Sequence, residues 1–138
     1  MNTPLFLAFL ALVGGGMSQF TGKIAGANRA YGPSFMLVET VAFGLAAIVI
    51  HLVQRQPFGL SPKMTGVAAS GGIFAALSVF SMLLAFRLGG QGSIIFPIAG
   101  LAVMVSVILS FIVYREPVSA TKLLGLGLGM SSIIVLSR

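Results

Sequence analysis

The chain has 138 residues, 57% hydrophobic and 7% charged, whereas soluble domains run near a quarter charged, so an ordinary water-soluble domain is excluded and the bilayer is the natural solvent. With no Cys, a single His and two acids, the sequence offers no disulfide framework, no thiolate nucleophile and no metal-ligand cluster, and no cofactor or metal is expected. The net charge of +6 comes from eight Lys and Arg set singly between apolar runs, which is interfacial anchoring rather than a nucleic-acid surface.

In chain order, five apolar stretches stand out at residues 4–22, 34–54, 64–86, 92–113 and 120–137. Each suits an α-helix crossing about 30 Å of hydrocarbon. Outer-membrane barrel strands would instead alternate over about ten residues. The expectation is an all-α membrane protein, five transmembrane helices in an up-and-down bundle, forming one domain over 1–138. The first stretch follows Met1-Asn2-Thr3, which carries no basic side chain, and is read as a retained span rather than a signal peptide.

Helix-ending residues punctuate the connections: Gly26 to Pro33, Arg55 to Pro62, Gly89-Gly90-Gln91-Gly92, and Arg115-Glu116-Pro117. Short loops force neighbouring helices antiparallel, and an odd number of spans puts the termini on opposite sides. One side would then carry Lys23, Arg29, Arg87 and Arg138, the other Arg55, Lys63, Arg115 and Lys122. Four cations against four give no orientation bias, which points to insertion in both directions and inverted copies that pair; the alternative is that a partner chain or the N-terminal amine sets the orientation.

Close helix approach in lipid relies on small residues. The first span offers Gly14, Ser18, Gly22 and Gly26 at spacing four, and the last offers Gly125 and Gly129. The former reads first as packing inside the chain, the latter equally as an internal or a dimer seam. In the fourth span Pro97 has no amide for the Ser93 carbonyl and Gly100 loosens the same turn, so Ser93 to Gly100 is expected to kink, either as a cavity wall or as a purely structural bend.

Glu39 is the one acid inside an apolar run, a costly position unless the group is paired or protonated. Lys23, at the same membrane level across the first loop, is the expected partner, and Gln19 adds a neutral hydrogen-bonding group. This set reads either as a substrate- or ion-linked path or as a structural interfacial ion pair. His51 lies at a span end and needs no proton-carrying role. Glu116, between Arg115 and Pro117, is accounted for by local charge pairing and helix initiation. Eleven Phe, two Tyr and no Trp are scattered through the spans as packing or lipid contacts. No paired acids or nucleophile with a base appear, so an enzyme is not expected.

The run Ala85-Phe86-Arg87-Leu88-Gly89-Gly90, then Ile95-Phe96-Pro97-Ile98 with Leu101, then Tyr114-Arg115-Glu116-Pro117-Val118-Ser119 with Gly125, resembles one EamA-type repeat of the drug/metabolite transporter superfamily. In that family Pro97, Glu116 and Ser119 match the early proline of the fourth helix, an acid before the last helix and a small hydroxyl residue after it. The first part agrees more loosely, through Gly16 to Lys23 and through Glu39. The resemblance implies a transporter of two oppositely oriented five-helix repeats with the substrate path between them, here supplied by a second copy. The related small multidrug resistance proteins place an essential acid in the first helix, where this chain has Gly16, Met17, Ser18 and Gln19, so their exchange mechanism does not carry over.

The leading expectation is a multi-pass transporter of small metabolites or amphipathic compounds in the cytoplasmic (inner) membrane of a bacterium or archaeon. It would work as an antiparallel homodimer by alternating access, with Gln19, Lys23, Glu39, Ser93, Pro97 and Gly100 along the path. The rival is a non-transporting membrane subunit docking on a larger complex through its glycine seams.

Overall fold

The structure, a computed structural model, describes residues 3–115 and 119–136. It is helical, with no strand among the described residues, in the order α1 (Thr3–Ala27), α2 (Gly32–Gln54), α3 (Pro62–Arg87), α4 (Gly92–Gly100), α5 (Ala102–Tyr114) and α6 (Ala120–Leu136). The chain divides into two compact units, residues 1–89 with α1 to α3 and residues 90–138 with α4 to α6. Glu116, Pro117 and Arg138 lie outside the described residues.

In the first unit the local chemistry of each end explains where each helix stops. α1 runs five residues past the expected 22, through Lys23 and Gly26, because neither residue blocks the next helical bond. It ends where Ala30 N donates to Ala25 O at 2.9 Å and Arg29 N to Gly26 O at 3.0 Å, with Arg29 left-handed at φ 54. That paired six-to-one and five-to-two pattern caps the last carbonyls of α1. α2 closes on Arg55, also left-handed at φ 52, whose amide returns to His51 O at 3.0 Å. α3 opens on Ser61, whose hydroxyl accepts from Met64 N at 3.3 Å, followed by Pro62 in the first turn, where its missing amide costs nothing.

The core of this unit is small. Ala25, Leu83 and Phe86 are its buried hydrophobic side chains, all where the end of α1 meets the end of α3. Gly26 permits that approach: a Cβ there would stand 2.6 Å from Phe86 Cβ and 2.9 Å from Leu83 O. Gly22 follows one turn earlier, with Met82 Cε 3.4 Å from where a Cβ would be. Gly32 at the start of α2 faces Phe80 and Leu83, so α2 enters beside the end of α3 and runs antiparallel to it.

Most large apolar side chains remain exposed, among them Phe43 and Val53, each at 76%, and Phe74 at 71%. In water such a surface would be an aggregation hazard, whereas lipid tails are as apolar as the side chains and levy no penalty. Four helical runs, Thr3–Ala27, Gly32–Gln54, Pro62–Arg87 and Gly92–Tyr114, are long and apolar enough to cross a membrane. At 1.5 Å per residue the shortest, of 23 residues, rises about 34 Å. The protein is an integral, multi-pass membrane protein.

The second unit departs from the expected outline at one place. The run from 92 to 114 is one span in length but two helices in structure, broken at Leu101. There the amide of Leu101 turns back to Ile98 O at 3.1 Å, and those of Met104 and Val105 both reach Leu101 O, at 2.8 and 3.4 Å. Pro97 and Gly100 explain the break: one withholds an amide from the preceding turn, and the other gives the backbone the freedom to tighten. The last helix, α6, follows the expected 120–137 stretch through its described residues, Ala120–Leu136, with an apolar stretch at Leu123–Ser132 among them. It rises about 26 Å, a little less than the hydrocarbon thickness.

Candidate functional site

A half-open groove of about 550 Å³ lies between α2 and α3. From α2 it takes Met36, Glu39, Thr40 and Phe43, spaced three, four and seven residues on from the first, which is one face of a helix. From α3 it takes Ala68, Gly71, Gly72, Ala75, Ala76 and Val79, again one face, and this one is nearly stripped of side chain. A Cβ at Gly71 or Gly72 would meet nothing within 4 Å. The two helices meet at the Gly32–Phe80 end, and the small residues of α3 leave the space further along unfilled.

Glu39 is half-buried and is the one ionisable residue lining this groove. Its Oε1 accepts from Ser18 Oγ on α1 at 3.4 Å, a long contact for two oxygens and a neutral one. Thr40 Oγ1 donates to Met36 O one turn back at 2.8 Å, so its hydrogen is spent within the helix while its lone pairs stay available. The site thus holds a carboxylate and a hydroxyl acceptor against an otherwise apolar wall, within the size range of small-molecule sites.

Of Gln19, Lys23 and Glu39, only Glu39 lines the groove; Gln19 and Lys23 are half-exposed on α1. Ser18, expected as a packing residue, is instead the hydroxyl that reaches Glu39. In the other unit Ser93 and Gly100 are exposed and Pro97 is half-exposed on α4, at and before the break. Of the α1 seam, Gly22 and Gly26 pack on α3, while Gly14 has nothing within 4 Å. Gly125 and Gly129 on α6 likewise face open space. Thr40 and the small face of α3 were not singled out from the sequence, although the spacing Ala68, Gly71, Gly72, Ala75, Ala76 marks a bare helical face without any structure.

A second cavity of about 240 Å³ lies at the α1–α2 turn, lined by Tyr31, Phe80 and Arg87 among others. His51 meets Phe58 edge-on, ring centroids 5.4 Å apart, an ordinary interfacial contact. No group of three His, Cys, Asp or Glu that could hold a metal exists among the described residues. Compared with family models, curated proteins and solved structures, the chain matches none.

Proposed function

We propose that this protein is a small-molecule membrane transporter of the drug/metabolite type, in which two copies of a five-helix chain form the path and alternate access across the bilayer. The observation that carries the reading is Glu39 in the α2–α3 groove: a carboxylate at membrane depth is retained where it serves a solute, and here it faces a cavity of solute size. The helix break after Pro97 supports it, because irregular backbone at membrane depth belongs where it is shielded by protein or lines a cavity. The equal division of Lys and Arg between the two sides supports an inverted pair of copies. On this reading α6 completes a short fifth span, Gln19, Lys23 and Ser93 to Gly100 lie along or beside the path, and the setting is a bacterial or archaeal cytoplasmic membrane. The likeness of the segment from Ala85 to Gly125 to an EamA-type repeat is the basis for the five-helix repeat.

Two experiments test it. The chain has no Cys, so a single cysteine can be placed at Gly59 in the α2–α3 loop or at Leu88 beyond the other end of α3, and intact cells labelled with an impermeant maleimide. Labelling of about half the molecules at both positions supports two insertions of one sequence; complete labelling at one and none at the other removes the inverted pair. Membrane vesicles with the wild-type chain or Glu39→Gln are then screened for uptake of labelled metabolites, and a solute taken up only by the wild type supports transport.

The second reading, a non-transporting subunit of a larger membrane complex, draws on Gly125, Gly127 and Gly129 of α6, where an added Cβ would meet nothing within 4 Å among the described residues. Copurification of one unrelated protein at fixed stoichiometry, without uptake of any solute, would decide for it.

A further inference from the structure

The α2–α3 groove has a one-sided hydrogen-bonding character. Its lining contains no Lys, Arg, His, Asn, Gln, Tyr or Trp, although the chain carries eight Lys and Arg and a net charge of +6. The Thr40 hydroxyl has spent its hydrogen on Met36 O, and the Ser18 hydroxyl, reaching in from α1, directs its own at Glu39 Oε1 over a long 3.4 Å. What the groove offers a visitor is therefore acceptors only: the remaining lone pairs of the Glu39 carboxylate and those of Thr40 Oγ1, on adjacent residues of α2. Beyond them lie Phe43 and the bare Gly71, Gly72 and Ala75 wall, which accept an apolar body.

We infer that the groove binds a protonated amine carrying an apolar or aromatic body, its ammonium N–H groups donating to Glu39 and Thr40. An ionised carboxylate away from water demands a counter-charge, and the Ser18 hydroxyl supplies none. An anion would meet the Glu39 charge head-on with no donor to hold it. A neutral apolar molecule would bury the acid without satisfying it. A quaternary ammonium balances the charge but gives no hydrogen to either acceptor, so the pair of acceptors selects primary and secondary amines over their trimethylated counterparts. The inference rests on the transporter reading for the solute's route, while its chemistry is read from the groove alone.

The test uses the full chain in phosphatidylcholine nanodiscs, with protein-free nanodiscs subtracted and radiolabelled tryptamine as probe. Saturable binding is expected, displaced by octylammonium, displaced by octyltrimethylammonium only at about tenfold higher concentration, and not displaced by octanol or octanoate. Glu39→Gln should weaken binding by about tenfold or more while Glu39→Asp stays within about threefold, which separates loss of charge from loss of fold. Thr40→Val should lessen the preference for octylammonium over octyltrimethylammonium. Absence of saturable tryptamine binding, equal displacement by octanol or octanoate, equal displacement by the quaternary ion, or wild-type affinity in Glu39→Gln would each overturn the inference. Tryptamine uptake into proteoliposomes is measured separately. Binding without uptake counts against the transporter and leaves the amine site standing; Glu39-dependent uptake of an anionic or neutral solute, with no amine binding, does the reverse.

Discussion

Gly26 on α1 and Phe86 on α3 are in such close contact that one added methyl at Gly26 would lie 2.6 Å from Phe86 Cβ, with Leu83 O only 2.9 Å away. Two of the obstructing atoms belong to the backbone or its first side-chain carbon, and neither can swing aside. In a unit whose buried hydrophobic residues are Ala25, Leu83 and Phe86, this contact holds the α1–α3 pair together. Gly26→Ala is expected to force the helices apart and destabilise the unit by about 1–3 kcal/mol. Gly14→Ala, made where nothing lies within 4 Å, should be neutral or gain up to about 1 kcal/mol from helix propensity. Thermal unfolding of both variants in the same detergent checks the pair; equal losses would show that the contact does not govern stability.

Arg29 holds a left-handed backbone at φ 54 in the position where a helix end favours glycine. Arg29→Gly, Arg29→Asn and Arg29→Val all remove the same charge, so differences among them report the backbone alone. Gly is expected to be the most stable and Asn intermediate, with Val below Gly by about 1–2 kcal/mol, because a β-branched residue tolerates this region least. Unfolding midpoints of the three variants give the order, and a Val variant as stable as Gly would show that the turn opens without cost.

The helical pattern was legible in the sequence because predominantly apolar runs long enough to make helices of 23 to 26 residues have few other solutions in lipid. α2 and α3 begin and end within two residues of the expected limits, since Pro33, Arg55 and Pro62 mark their ends. α1 runs past the expected 22 because a helix in lipid tolerates both Lys23 and Gly26 and is closed instead by the capping bonds around Arg29. At the site, Glu39 announced itself as an acid in an apolar run. Its surroundings did not: whether α1 or α3 stood beside it depended on packing set by Gly22 and Gly26, and periodicity does not say which helices those glycines bring together. Ser18, classed with the packing glycines by spacing, proved to be the residue of that row that reaches the acid.

The hydroxyl of Ser18 stands 3.4 Å from Glu39 Oε1, beyond the usual range for a strong O–H···O bond. Ser18→Ala should therefore cost little, about 0.5 kcal/mol or less, and a double-mutant cycle with Glu39→Gln should give a coupling energy no larger than about 0.5 kcal/mol. Unfolding of the four proteins in detergent measures it. A larger coupling would mean that the pair is a structural fastening between α1 and α2.

Pro97 and Gly100 divide one span-length run at Leu101, and restoring the amide should mend it. Ser93 and Ser110 flank the break on α4 and α5, and with no native Cys each can be converted to a spin-labelled cysteine. Over a continuous helix their backbones would stand about 25 Å apart. The wild-type chain should show a shorter distance, and Pro97→Ala with Gly100→Ala should move it toward that value. An unchanged distance would place the cause at Leu101 and its neighbours instead.

The emptiness of the α2–α3 groove depends on the small residues of α3, above all Gly71 and Gly72, whose absent side chains leave open space. Gly72→Leu should fill part of the roughly 550 Å³, and its Cβ would contact nothing within 4 Å. Replacing a mid-helix glycine also favours the helix, by up to about 1 kcal/mol. The expected result is therefore a protein at least as stable as the wild type that has lost tryptamine binding, in contrast to Gly26→Ala, where stability itself falls. Thermal unfolding together with the nanodisc binding assay reads both quantities. If Gly72→Leu keeps its affinity, the amine does not reach the α3 wall, and the site shrinks to Glu39, Thr40 and Phe43 on α2.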